Sequence, residues 1–165
     1  MVLQHIAIHG LIYTIIFNGS LFVIMISVGP RVWGYNDYSE LVKKKVLPKT
    51  KKEKMLSMII GIPWLIIMFL LPIISTYLLK IKLGGEISFL IAFLNLFVLI
   101  ILATIGDLVI LDWIIVSKIT PKFVIIPGTE AKDYKDFSHH YISHAKAVPI
   151  LIILCLIIAV VVWYF

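Results

Sequence analysis

The chain alternates between long apolar stretches and shorter, strongly polar ones. Four stretches are apolar over most of their length: about Ile6–Gly29, Met55–Leu79, Ile87–Val116 and Ala147–Phe165. A bilayer core of about 30 Å is crossed by roughly 20 apolar residues in a helix. Each stretch therefore predicts one transmembrane helix, the fourth barely long enough. The third carries Asp107 and Asp112, so only Ile87–Gly106 is free of charge. Hydrophobic residues make up 61% of the chain, against about 45–50% in a soluble domain, and the mean hydropathy is +1.07. Four spans leave little of the 165 residues over. The expected fold class is all-α: a single integral membrane four-helix bundle covering residues 1–165, with a structured loop between helices 3 and 4.

Charge then orients the bundle. Thirteen of the fifteen Lys and Arg residues fall in the first and third connections, and only Lys80 and Lys82 in the second. The excess of Lys and Arg in cytoplasmic loops places connections one and three inside and both termini outside. That predicts a multi-pass protein of the cell (cytoplasmic) membrane. The first stretch lacks a basic leader and a small-residue cleavage site, and its apolar run is too long for a signal peptide. It is expected to remain as a span. The net charge of +6 does not imply nucleic acid, because no aromatic platform accompanies the lysines. Lys43, Lys44, Lys45, Lys51 and Lys52 instead suit anionic lipid headgroups, which attract each nearby lysine by about 1 kcal/mol. The bilayer is thus the first expected partner, followed by a second copy or another membrane subunit. Cys155 stands alone in the last span, which excludes an internal disulfide and CxxC redox chemistry.

Local signals mark the helix ends. Gly29-Pro30 stops the first helix, and Asn36-Asp37-Tyr38-Ser39 reads as the cap of a short helix running to Lys45. Trp33, Tyr35 and Tyr38 suit a membrane interface. Thr50-Lys51-Lys52-Glu53 reads as a capping box for helix two. Pro63 and Pro72 inside that helix should free the carbonyls of Ile59 and Met68. Gly84-Gly85 makes a short turn, so helices two and three must be antiparallel neighbours. The third connection, about Lys118–His144, is long. Thr120-Pro121 closes helix three, Pro127-Gly128 signals a turn, and Asp136 can cap a helix entering the fourth span. A long loop of this kind is expected to fold back over the cytoplasmic end of the bundle.

The polar groups inside the spans are the candidate chemistry. A charge at membrane depth is usually paired, neutralised or turned to a cavity. Asp107 lies about 16 Å deep at 1.5 Å per helical residue, and Asn18 lies at about the same level of helix one. A hydrogen bond between them is expected, as a clamp or as part of an ion or ligand site. Asp112, five residues on, is rotated by about 140° in an α-helix, so the two acids should face different ways. Asp112 is expected to pair at the rim with Lys118, Lys146 or His144. His140 and His144 are four apart, with His139 adjacent. With Asp112, Glu130, Asp133 and Asp136 they form a candidate metal set for zinc, iron or manganese. His5 and His9 belong to the opposite end, and His9 and Asn18 point to opposite sides of helix one. Asn95, Thr104 and Thr14 are expected to bond between helices. Five histidines are too few for a membrane di-iron hydroxylase. No internal repeat, P-loop, GxGxxG or GxSxG is present.

The stretch Thr120-Pro121-Lys122-Phe123-Val124-Ile125-Ile126-Pro127-Gly128-Thr129-Glu130, followed by Tyr134, Asp136, His140, His144 and Lys146, resembles a family of small four-span prokaryotic integral membrane proteins. The segments Gly106–Trp113 and Pro48–Lys54 share the likeness, which covers nearly the whole chain. The resemblance implies the four-span architecture and carries no substrate, cofactor or catalytic role. Three function classes follow from the residues. The leading one is a non-enzymatic membrane protein that binds a lipid, small ligand or partner subunit at the cytoplasmic end, where Asp107, Asp112, His140 and His144 converge. The second is a proton- or cation-coupled transporter, working as an oligomer, with Asp107 as the titrating group. The third is a metal-dependent membrane enzyme at the rim.

Overall fold

The computed structural model describes residues 1–165. It is all-helical. The elements are α1 (Val2–Val28), α2 (Glu40–Lys45), α3 (Lys51–Lys82), α4 (Phe89–Gly106), a π-helix (Asp107–Ile119) that continues α4 without a break, a 3₁₀ turn (Ala131–Tyr134) and α5 (Phe137–Tyr164). Four helical stretches of 27, 32, 31 and 34 residues are long and apolar enough to cross a membrane. The connections put the Arg31–Thr50 and Thr120–Asp136 segments at one end of the bundle, called the basic end below. Both termini and the Gly84-Gly85 turn lie at the other.

Polarity is arranged to suit an apolar solvent. Leu3, Ile8, Leu11, Ile15 and Ile26 of α1 are exposed, whereas His5, Gly10, Tyr13, Asn18 and Leu21 are buried. The same inversion holds elsewhere: Ser75, Thr76 and Asn95 are buried while Ile66, Ile67, Ile74 and Leu90 are exposed. In lipid, exposed apolar side chains carry no penalty, and packing relies on small residues and interhelical hydrogen bonds. Asn95 provides one such bond, donating from Nδ2 to Thr76 Oγ1 at 2.8 Å. Thr14 and Thr104 do not bond between helices as expected. Each returns its hydroxyl to the carbonyl four residues back, Gly10 and Ile100, at 2.8 and 2.9 Å.

Helix α3 carries its two prolines without interruption. Pro72 has no N–H, so the Met68 carbonyl loses its helical donor. The Tyr13 hydroxyl of α1 replaces it, donating to that carbonyl at 3.1 Å. The helix starts on the expected capping box: Thr50 Oγ1 accepts from Glu53 N at 3.2 Å, and Glu53 Oε2 accepts from Thr50 N at 2.7 Å. The Glu53 carboxylate also takes Arg31 in a two-pronged pair, at 2.6 and 3.2 Å. Arg31 thereby ties the end of α1 to the start of α3.

The third connection folds back over the basic end, as its length suggested. Val124, Ile126 and Tyr134 pack with Tyr38 and Val42 of the first connection and Val116 of the π-helix into a second small core. Pro127-Gly128 makes the turn, with Thr129 N donating to Ile126 O at 3.0 Å and Gly128 at φ 96. Proline first and a positive-φ glycine second is the type II pattern. Tyr38 donates to Val124 O at 3.0 Å and Lys45 pairs with Asp133 at 2.6 Å, so the two long connections hold each other. Asp136 caps α5, accepting from Ser138 N and His139 N at 3.1 and 3.3 Å. The fourth helix thus begins ten residues before the Ala147 boundary read from hydropathy. Its first turns are polar but are carried by the cap and by packing.

Candidate functional site at the basic end

The segment after Gly106 decides the site. From Asp107 to Ile119 the backbone hydrogen bonds run over five residues instead of four. Five residues then make little more than one turn, so Asp107 and Asp112 come round to the same side. The expectation that they face apart assumed α-helical rotation and is overturned. The π-helix is closed at its far end by Thr120, a non-glycine residue at φ 51, whose N–H still reaches Ile115 O at 2.8 Å. Lys135 completes the closure. Its ammonium donates to Ser117 O, Lys118 O and Thr120 Oγ1 at 2.7, 2.9 and 2.9 Å, covering carbonyls the helix end leaves free.

Helix α5 supplies the other half. His140 and His144 are one α-helical turn apart and share a face. His144 Nε2 lies 2.9 Å from Asp112 Oδ2 and 3.9 Å from Asp107 Oδ2. His140 Nδ1 lies 3.2 Å from the same Asp112 oxygen. One donor atom each from Asp107, Asp112 and His144 fall within 4.8 Å of one another. Two charged carboxylates that close repel by about 3–4 kcal/mol at an effective dielectric constant of about 20. A positive group between them, whether an imidazolium or a bound cation, relieves that repulsion, as does a proton held on one of the acids.

The remaining sequence candidates go elsewhere. Asn18 does not bond Asp107. Its Nδ2 donates to Thr14 O at 2.9 Å and across to Ala103 O of α4 at 3.2 Å, and its Oδ1 has no partner. The approach is close because Gly106 has no side chain: a Cβ there would stand 2.7 Å from Asn18 Nδ2. His139 leaves the cluster and bonds Asp37 O at 2.9 Å. Asp133 and Glu130 are taken by Lys45 and Lys132, and Asp136 is the α5 cap. Of the rim partners expected for Asp112, His144 is the one found, joined by His140. Lys44, Lys51 and Lys52 are exposed and make no ion pair, whereas Lys43 and Lys45 pair with Glu40 and Asp133.

The acids and imidazoles line a cavity of about 280 Å³. Its apolar walls come from α1 (Phe17, Leu21, Met25), from Trp33 and Tyr38 of the first connection, and from Trp64 of α3. Trp33 and Trp64 meet edge to face at 5.5 Å. No Lys or Arg lines it. Asp37 does, and sequence reading had taken it only for part of a helix cap. Asp37 is itself exposed; the protein atoms crowded around its carboxyl, followed by the nearby Asp112, push it above the ordinary carboxylate range. Behind the wall, Lys49 is buried and donates to Val32 O at 2.6 Å and Ser57 Oγ at 2.9 Å.

No protein-family model, no curated protein and no solved structure matches this chain. The arrangement is therefore read from its own geometry. At the opposite end a second polar group forms: His5 and His9 stack at 3.7 Å, and both reach Ser75, His5 Nε2 to its carbonyl at 3.0 Å and His9 Nδ1 to its hydroxyl at 3.0 Å. This keeps the two histidine sets apart, as their positions in the chain required. His9 turns to α3 and Asn18 to α4.

Proposed function

We propose that the chain is a multi-pass protein of the cell membrane that binds a small, positively charged ligand in this cavity, on the cytoplasmic side. The observation that carries the reading is the lining: three carboxyl groups and two imidazoles at one end, aromatic and aliphatic walls around them, and no Lys or Arg. A mostly apolar pocket with a few convergent polar groups is the usual form of a small-molecule site. The many lysines of the two long connections support the cytoplasmic assignment. They also leave Lys44, Lys51 and Lys52 free for anionic headgroups.

The test is binding to the full chain in lipid nanodiscs. Trp33 and Trp64 line the cavity, so a series of alkyl- and arylammonium ions is titrated against tryptophan fluorescence. Saturable quenching that Asp112→Asn abolishes, with helicity unchanged, is the expected result. Equal quenching in wild type and variant refutes the reading.

A second reading, cation-coupled transport by an oligomer with Asp107 as the titrating group, draws support from the polar cluster of His5, His9 and Ser75 at the opposite end. Proteoliposome cation flux that Asp107→Asn leaves unchanged removes it.

A further inference from the structure

We propose that Asp107, Asp112 and His144 bind a divalent first-row transition-metal ion at the polar end of the cavity, with its remaining coordination positions open to the cavity. The inference rests on the cation-binding reading above and names the cation.

The geometry is the first argument. Around a tetrahedral ion with bonds of about 2.0–2.1 Å, donor atoms stand about 3.3 Å apart. Here His144 Nε2 is 2.9 Å from Asp112 Oδ2 and 3.9 Å from Asp107 Oδ2. These two values bracket the required spacing, and all three donor atoms lie within 4.8 Å of one another. The donor set is the second argument. Imidazole nitrogen with carboxylate oxygen suits zinc, iron(II), manganese or cobalt. Calcium and magnesium prefer oxygen alone, and copper(I) prefers sulfur. The scaffold is the third. Two acids five residues apart share a side only in the π-helix, and that register is held by Lys135 and Thr120 at its end. A wide turn of this kind is rare and concentrates at functional sites.

His140 has a different role. Its Nδ1 lies 3.2 Å from Asp112 Oδ2, and it holds that carboxylate toward the centre. It is a positioning residue, of the sort whose loss weakens metal affinity by about 10- to 100-fold. Three protein ligands leave at least one position for water or an incoming molecule, the form of an open metal centre.

The experiment uses the full chain in nanodiscs, stripped with chelator and titrated with cobalt(II), read by visible ligand-field absorption and by elemental analysis after desalting. The expected result is one equivalent bound, displaced by zinc(II). Asp112→Asn and His144→Ala should each weaken binding at least 100-fold, and His140→Ala by 10- to 100-fold. His139→Ala, whose imidazole is turned away, should bind like wild type. Because a ligand variant can misfold, Asp107→Asn, nearly isosteric, is compared by circular dichroism and size-exclusion profile. A folded Asp107→Asn protein that binds cobalt as wild type does overturns the proposal, as does a wild type that takes up none. If cobalt does not bind but ammonium ions quench fluorescence through Asp112, the metal inference falls and the ligand-binding reading stands. If neither binds, both fall.

Discussion

The Tyr13 hydroxyl should matter only because Pro72 is there. Pro72 removes the N–H that would satisfy the Met68 carbonyl, and Tyr13 from α1 donates to it at 3.1 Å. All three residues are buried, so no water competes. Tyr13→Phe deletes the donor with little change of volume. Interhelical hydrogen bonds in membranes average about 0.6 kcal/mol and reach about 1.7. This carbonyl has no helical donor, so its loss should lie in the upper part of that range, about 1–1.5 kcal/mol. Pro72→Ala restores an N–H four residues on and lets the helix satisfy its own carbonyl. In that background Tyr13→Phe should cost no more than about 0.3 kcal/mol, because the donor it removes has become redundant. Any cavity left by Pro72→Ala enters both sides of the cycle and cancels. The four proteins are unfolded in mixed bicelles by titration with a denaturing detergent, and the coupling is read from the cycle. A Tyr13→Phe penalty that is the same with and without Pro72 would refute the pairing of the hydroxyl with the proline-freed carbonyl.

Three further outcomes follow from the same geometry. Lys135→Met removes three donors from the end of the π-helix; amide exchange at Lys118 to Thr120 should rise about 10-fold or more, in line with roughly 1.5 kcal/mol for hydrogen bonds to a charged group, and unchanged protection there contradicts the capping role. Gly106→Ala puts a methyl 2.7 Å from Asn18 Nδ2 and 3.0 Å from Thr14 Cγ2 and should destabilise by about 1–2 kcal/mol through displaced side chains; Asn18→Ala in the same chain should reduce that penalty, and a penalty unaffected by the second change rules out the Asn18 contact as a cause. Burial pulls the Lys49 ammonium below its usual value, so its folded state prefers the neutral amine more than the unfolded state does. Stability from this group is present above the ordinary lysine value of about 10.4 and declines as pH falls through the lowered folded value. The unfolding midpoint of wild type relative to Lys49→Met should therefore rise between neutral pH and about pH 10.4; a flat or falling difference argues against a buried amine there.

The number and order of the long helices were legible in the sequence because lipid imposes a simple rule: about 20 apolar residues in a row form a helix that needs no partner to satisfy its backbone; their full lengths were not, since the polar first turns of the fourth, from Phe137, carry no hydropathy signal. Caps and turns were legible for a similar reason. Thr50 with Glu53, Asp136, and Pro127-Gly128 act on their own neighbours in the chain, and each does what its local chemistry dictates. The meeting of Asp112 with His144 was also within reach, since both had to lie at the basic end.

What only the tertiary structure decided depends on rotation and on distant contacts. Asp107 and Asp112 face together because the backbone widens from four-residue to five-residue bonding, and no residue pattern between Gly106 and Ile119 announces that change. Lys135, which secures it, lies 15 or more residues further along the chain. Asn18 chose the Ala103 carbonyl over Asp107 because Gly106 lets the helices come close. Asp37 became part of the cavity only once the two connections folded against each other through Tyr38 and Lys45. Hydropathy fixes where a segment lies along the membrane normal, but it does not fix the angle at which a helix presents its few polar groups. That angle is set by close packing, and the candidate site is made of it.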